Sequence, residues 1–323
     1  MASPSPVRRI LTGLGLRLAI TAVVFAYLLK RIDVAEVGDS LGRISPLSVL
    51  GGVGGALLAL CSGLVRWRVL FGAYGARSKP TWAELTRLYL IAQFYNLLPG
   101  AIGGDVVRGY ATRRHFDDAG GGTVRSVGVV LVDRLLGFLG LLLVASIGTL
   151  ISPLPAREVL YYAALGLAAA LGAVTVMTLA RRLADVLPES LGKLARTLPE
   201  LKSPPLFGVA LLLSLASHTG VSLAGFAILA GLTPQVSLLE ALVIFPLGAL
   251  AAYFPLTFAG AGARDAALVF LCAQFGVSRP DALAASLSLL MLQLSIAAVG
   301  GIVNLRSPAP HVEPVEPGQP SRL

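Results

Sequence analysis

Apolar residues fall into eight long blocks along the chain, separated by short polar or proline-rich stretches. At about 1.5 Å of rise per residue, each block is close to the twenty or so residues that cross a hydrocarbon core of about 30 Å. The blocks run from about Ile10 to Leu29, Leu47 to Val65, Trp82 to Leu98, Thr123 to Ile151, Val159 to Ala180, Leu206 to Leu232, Leu238 to Phe254 and Ala282 to Leu305. A basic loop is expected after the second, with Arg66, Arg68, Arg77 and Lys79. The first block follows Arg8 and Arg9 but lacks a small-residue cleavage site, so it reads as a retained helix.

Two of the eight are interrupted. The third is polar for a spanning helix, with Glu84, Arg87, Gln93 and Asn96, and breaks at Pro99 through Asp105 before a helical run from Val106 to about Arg114. The seventh breaks at Pro255 and passes through Gly260, Gly262, Arg264 and Asp265 into a run ending near Phe275. The chain therefore reads twice, with halves of about 1–152 and 157–305. Each half has two plain spans, then a broken one, then a further apolar run. Paired interrupted segments in matching places are the sequence mark of a transporter's binding site.

Charge placement orients this arrangement. With the N-terminus in the cytoplasm and each broken segment a re-entrant hairpin, Arg66 to Lys79, Arg113, Arg114, Arg125, Arg181 to Lys202 and Arg306 all fall inside. The connection Lys30 to Arg43 falls outside, its three bases balanced by Asp33, Glu36 and Asp39. The expected fold is an all-α polytopic membrane protein of about six transmembrane helices plus two re-entrant hairpins in inverted-topology halves. Both termini are expected in the cytoplasm and the protein in the cytoplasmic membrane. Eight full crossings are the alternative, but they strand Arg113 and Arg114 outside. Residues 181–202 read either as an amphipathic segment on the membrane surface or as a polar linker, and 306–323 as a disordered tail.

Composition agrees with burial in lipid. Of 323 residues, 55% are hydrophobic and 13% charged, against about 25% charged in soluble domains. Mean hydropathy is +0.80. The net charge of +9 belongs to the connecting stretches and suits anionic lipid; no basic stripe interleaves with aromatics as nucleic-acid binding requires. Two cysteines and three scattered histidines form no disulfide framework and no metal site. No cofactor is expected.

The remaining charges lie where they are costly. An ionised side chain at the bilayer centre costs at least about 2.5–3.5 kcal/mol on insertion scales. Three sets therefore need partners or a purpose: Asp105 with Arg108, Asp133 with Arg134, and Arg264 with Asp265. Gly103, Gly104, Gly260 and Gly262 suit turns at depth, through positive φ or close approach. A helix starting after such a turn aims its N–H groups and positive dipole end into the cavity, which favours an anion. Arg108 lies one turn beyond Asp105 on the same face, placed to hold a phosphate with two parallel hydrogen bonds, and Arg264 is placed to do the same. Asp133 and Arg134 point to different faces, so each needs its own partner; a structural and a functional role stay equally open for them. Asn96 and Gln93 line the hairpin or bond across helices. His218 and Glu240 read as structural.

The stretch Phe94 to Arg108, with Asn96, Pro99, Gly103, Gly104, Asp105 and Arg108, resembles the signature of the membrane domain of lysylphosphatidylglycerol synthase/flippase proteins. Val132-Asp133-Arg134 with Gly137 resembles that family's acid–Arg pair, and Pro255 to Asp265 its second signature, though alanines intervene and the acid is Asp265. The resemblance implies a lipid flippase-like domain with re-entrant helices around a cavity lined by these residues. In the full synthases that domain moves an aminoacylated phosphatidylglycerol. No synthase domain follows the last helix here, so an anionic phospholipid or a polyprenyl-phosphate-type lipid is the expected substrate. A homo-oligomer or a separate synthase is the partner such a chain would have.

These readings converge on lipid translocation by alternating access, with Arg108 and Arg264 binding the head. Asp105 and Asp265 would release it by competing for the arginines or would couple the movement to protons. Two rivals remain. One is an intramembrane enzyme acting on a lipid phosphate with Asp105 as base. The other is a membrane anchor or assembly partner in envelope biogenesis.

Overall fold

A computed structural model describes residues 32–97, 103–116, 122–151, 200–253 and 262–308, with isolated positions between 22 and 30 and between 164 and 192. Every regular element in these stretches is a helix. Most of the expected spans at Ile10 to Leu29 and Val159 to Ala180, most of segment 181–202 and most of the tail lie outside the described residues, as do Pro99, Pro255 and Gly260.

The connection expected over Lys30 to Arg43 contains a short amphipathic helix, α1 (Val34–Arg43). Asp33 caps it, its Oδ1 accepting from Ala35 N at 2.8 Å. Ser45 then caps α2 (Pro46–Ala73), with Pro46 at a first-turn position where its missing N–H costs nothing. This helix overturns one expectation. It continues past Val65 to Ala73, so Arg66 and Arg68 are helical and not in a loop. The reason is periodicity: Trp67, Leu70, Phe71 and Tyr74 recur at helical spacing and are fully buried.

Helix α2 packs antiparallel on α6 (Pro204–Ala230). Gly51 lies at Ala227 and Gly72 at Leu206, and the two backbones meet at Gly55 and Gly220. A Cβ on Gly55 would lie 2.6 Å from the Gly220 carbonyl, so the approach depends on small residues. The polar tether at the crossing is Ser217, whose hydroxyl donates to the Ala59 carbonyl at 3.1 Å. Together with α5 (Gly122–Ile151) and α9 (Arg279–Arg306), these make four helices long and apolar enough to cross a membrane.

Two pairs of shorter helices fill the space between. The first is α3 (Trp82–Tyr95) and α4 (Gly103–Ala111); the second is α7 (Leu238–Tyr253) and α8 (Ala263–Gln274). The 14 residues of α3 reach about 21 Å at 1.5 Å each, short of a 30 Å core. Each pair packs on itself and runs antiparallel. In the first, Gly104 meets Ala92 and Asn96 at one end, while Glu84 meets Arg114 at 2.7 Å at the other. In the second, Gly248 meets Leu268, while Val236, Ala241, Cys272 and Val277 share one apolar cluster at the other end.

The open ends face opposite ways. Trp67, Phe71, Tyr74 and Phe116 form a core at the mouth of the first pair, beside the end of α2. Lys202 and Ser203 fold back there, both backbone N–H groups donating to the Ala73 carbonyl at 2.8 and 3.0 Å. Ile32, Val37, Leu232 and Val236 form a second core at the mouth of the other pair, beside the start of α2.

Candidate functional site

The linked ends of the two helix pairs share a cavity, lined by Asn96 just after α3 and by Arg264 at the start of α8. Next to the first lies a chain of ionised side chains spanning α2, α4 and α5. Asp133 Oδ1 accepts from Arg66 Nε at 2.7 Å and its Oδ2 from Arg108 Nη1 at 2.9 Å. Arg108 Nη2 donates to Asp105 Oδ1 at 2.8 Å, and Asp105 Oδ2 accepts from Arg134 Nε. Arg66 also donates to the Ser214 hydroxyl on α6 at 3.0 Å. The Arg108 guanidinium lies 5.0 Å from the centre of the Trp67 ring.

Three arginines and two aspartates leave this chain with one net positive charge. Arg66, Arg108, Asp105 and Asp133 are buried, and the Arg134 side chain keeps 40% of its surface. These five line a cavity of about 210 Å³ with Tyr89, Gln93 and Asn96. Burial of charges this dense is tolerated only when each is paired and hydrogen-bonded.

The second closed end is built differently. Asp265 is fully buried at the start of α8. Its Oδ2 accepts from Gly262 N at 2.8 Å and its Oδ1 from the Ser286 hydroxyl at 2.5 Å. Arg264 lies 3.4 Å from Asp265 and donates to Gln293 Oε1 at 3.0 Å. Gly262 has φ +88°, a conformation open to glycine and costly for other residues. Arg264, Gln93, Asn96 and Gln293 project into a second cavity, about 380 Å³, among apolar residues of α2, α6, α7 and α9. Tyr89, Gln93 and Asn96 border both cavities, which therefore adjoin.

Of the expected site residues within the described stretches, Asn96, Asp105, Arg108, Asp133, Arg134 and Arg264 line these cavities, while Gly103, Gly104, Gly262 and Asp265 line neither. Gly103 and Gly104 are not a turn: they are the first two residues of α4. Gly104 instead allows close approach, since a Cβ there would run into the Ala92 carbonyl oxygen. Asp133 and Arg134 each found a separate partner, as their divergent faces required. Glu240 caps α7 by accepting from Ser237 N at 2.7 Å. Sequence reasoning missed Arg66, Ser214, Ser286 and Gln293. Arg66 was legible in one respect: Asp133 needed a cation that Arg134, its neighbour on another face, was unable to supply.

Basic residues gather at the mouth of the first pair. Arg77, Lys79, Arg113, Arg114 and Lys202 lie there with Glu84 and Glu200. His115 packs among them, its Nδ1 2.8 Å from the Ser78 hydroxyl and its Nε2 3.6 Å from Glu84. Burial lowers its pKa, against the opposing pull of the Glu84 carboxylate. At the other mouth Asp281 accepts from Ser40 at 2.7 Å and Arg43 at 2.6 Å, clamping α1 to α9.

Fold and site together define an α-helical, multi-span membrane protein with an internal, charge-lined cavity. Residues 15–300 match the family described as the lysylphosphatidylglycerol synthase TM region, and the chain belongs to that family. Membership ties the protein to lipid handling in a membrane. Comparison with curated proteins finds no match.

Proposed function

We propose that this protein moves a phosphate-bearing lipid across the cytoplasmic membrane by alternating access. In this reading the two helix pairs are re-entrant hairpins. The mouth rich in Arg and Lys faces the cytoplasm, in line with the positive-inside bias, and the halves are related by inverted topology. The observation that carries the reading is the cluster of Arg66, Asp133, Arg108, Asp105 and Arg134, which sets three arginines against two aspartates at a cavity beside the first helix pair.

An anionic head is the chemical complement of that charge. Arg108 and Arg134 receive the phosphate from one side and Arg264 from the other, while the acyl or prenyl chains stay in lipid. Asp105 and Asp133 hold the guanidiniums in place, and compete with the phosphate when the head leaves. Rocking of one half against the other exposes the cavity to each leaflet in turn. The protein acts here as a transporter and not as an enzyme.

The test is leaflet exchange of a labelled anionic phospholipid in proteoliposomes. The wild type equalises the leaflets. An Arg134→Ala, Arg264→Ala double variant falls to the rate of protein-free vesicles. An unchanged rate in that variant refutes the role given to these arginines.

A further inference from the structure

We infer that the larger cavity selects a headgroup that is uncharged and hydroxylated, a glycerol or a sugar beyond the phosphate, and rejects a cationic one such as an aminoacyl ester. The inference rests on the phosphate-lipid reading and adds the substrate class to it.

The polar part of the cavity wall is made of three amides, two hydroxyls and one guanidinium: Gln93, Asn96, Gln293, Tyr89, Ser217 and Arg264. Among the described residues that line it, none is acidic. Asp265, next to Arg264 in the chain, is fully buried and bonded to Gly262 N and the Ser286 hydroxyl. Asp105 and Asp133 each already accept from two arginines. Summed over both cavities, four arginines face three aspartates, so the net charge is again positive. An ammonium brought here meets like charge and finds no carboxylate without a guanidinium on it.

Hydrogen bonding points the same way. An ammonium only donates, whereas a hydroxyl donates and accepts. The Gln293 carbonyl accepts from Arg264 Nη1 at 3.0 Å, which leaves its amide NH2 to donate. Arg264 Nε, buried and without a hydrogen-bond partner, is a further donor. Asn96 Oδ1 is a buried acceptor without a partner, and Asn96 borders both cavities. The cavity wall thus offers both donors and acceptors, as a polyol requires. Gln93 and Asn96 also border the charged cavity, so a phosphate held there has its alcohol on this side.

The experiment titrates the full chain, in uncharged detergent, with four short-chain lipids of known structure. Two carry polyols: dihexanoyl phosphatidylglycerol and a short prenyl phosphohexose. Two are controls: dihexanoyl phosphatidylmethanol, with the same phosphate charge and no hydroxyl, and the lysyl ester of the phosphatidylglycerol. At least one polyol lipid should bind about tenfold tighter than both controls, as sites built to bond hydroxyls discriminate. The tighter of the two identifies glycerol or sugar as the source. A Gln93→Leu, Gln293→Leu variant should bring the polyol lipid to within about twofold of phosphatidylmethanol. Gln93→Glu, which adds a carboxylate, should shift preference toward the lysyl ester. The inference is overturned if the lysyl ester or phosphatidylmethanol binds as tightly as both polyol lipids, or if the leucine variant keeps the tenfold preference. Failure of all four lipids to bind would overturn the phosphate-lipid reading itself.

Discussion

The two hairpins carry the same sequence device, a break followed by an acid and an arginine, yet the acids do different work. Asp105 in the first belongs to a five-member ionic chain that ties α4 to α2 and α5. Asp265 in the second caps its own helix and accepts from Ser286 on α9. One end is thus held by charge pairing across three helices and the other by a helix cap and a neutral hydrogen bond to α9. Charge pairing leaves a field that a ligand can sense; a capped acid does not. The difference teaches that matching motifs in the two halves need not be matching sites: the first hairpin supplies the electrostatics and the second supplies Arg264 and a wall.

The largest expected effect tests the ionic chain. Asp133→Ala leaves Arg66 and Arg108 buried without their shared carboxylate and should cost about 3–5 kcal/mol of stability, read as loss of folded protein in detergent. Asp265→Ala removes a cap, the Ser286 bond and the longer contact with Arg264, and should cost about 1–3 kcal/mol. Equal losses would erase the contrast between the hairpins.

Glycine substitutions come next. Gly104→Ala pushes a methyl into the Ala92 carbonyl and should cost about 1–3 kcal/mol through overpacking. Gly262→Ala places a side chain at positive φ and should cost about 1–3 kcal/mol in backbone strain. Moving Ala92 aside cannot relieve the second, so the two respond differently to repacking. Ser286→Ala should cost about 1 kcal/mol, the worth of one buried hydrogen bond; the measurement is thermal unfolding against the wild type.

The smallest effect concerns pH. Burial holds His115 below its ordinary pKa of 6.5, so the unfolded chain binds its proton first. Stability conferred by neutral His115 is therefore full above roughly pH 6.5 and is lost as pH falls through that range. No histidine lies among the described residues of the second mouth, where Ser40, Arg43 and Asp281 form the clamp. Unfolding followed from pH 8 to 5 should show a dependence that His115→Phe removes.

Much of this was readable in the sequence. Long apolar blocks gave α5, α6 and α9 within a few residues, because a spanning helix must be apolar throughout. Both broken segments, and the acids and arginines beside them, were visible because charges in an oily run stand out. The extent of α2 was not. Arg66 and Arg68 looked like the end of a span, whereas Trp67, Leu70 and Phe71 carry the helix on into a buried core. Partners drawn from distant helices, such as Ser214 and Ser286, were also hidden: a serine in an apolar helix carries no mark of what it will face. The function of Gly104 depended on Ala92, across a hairpin whose packing no local pattern encodes.

The central claim is that each hairpin enters and leaves on one face, and that the two faces are opposite. Single cysteines at Lys79, Arg114, Gln235 and Gln274, in a chain with Cys61 and Cys272 replaced by alanine, test it through labelling with a membrane-impermeant thiol reagent from each side. Lys79→Cys and Arg114→Cys should label from one side, and Gln235→Cys and Gln274→Cys from the other. Labelling of the first two from opposite sides would contradict the account.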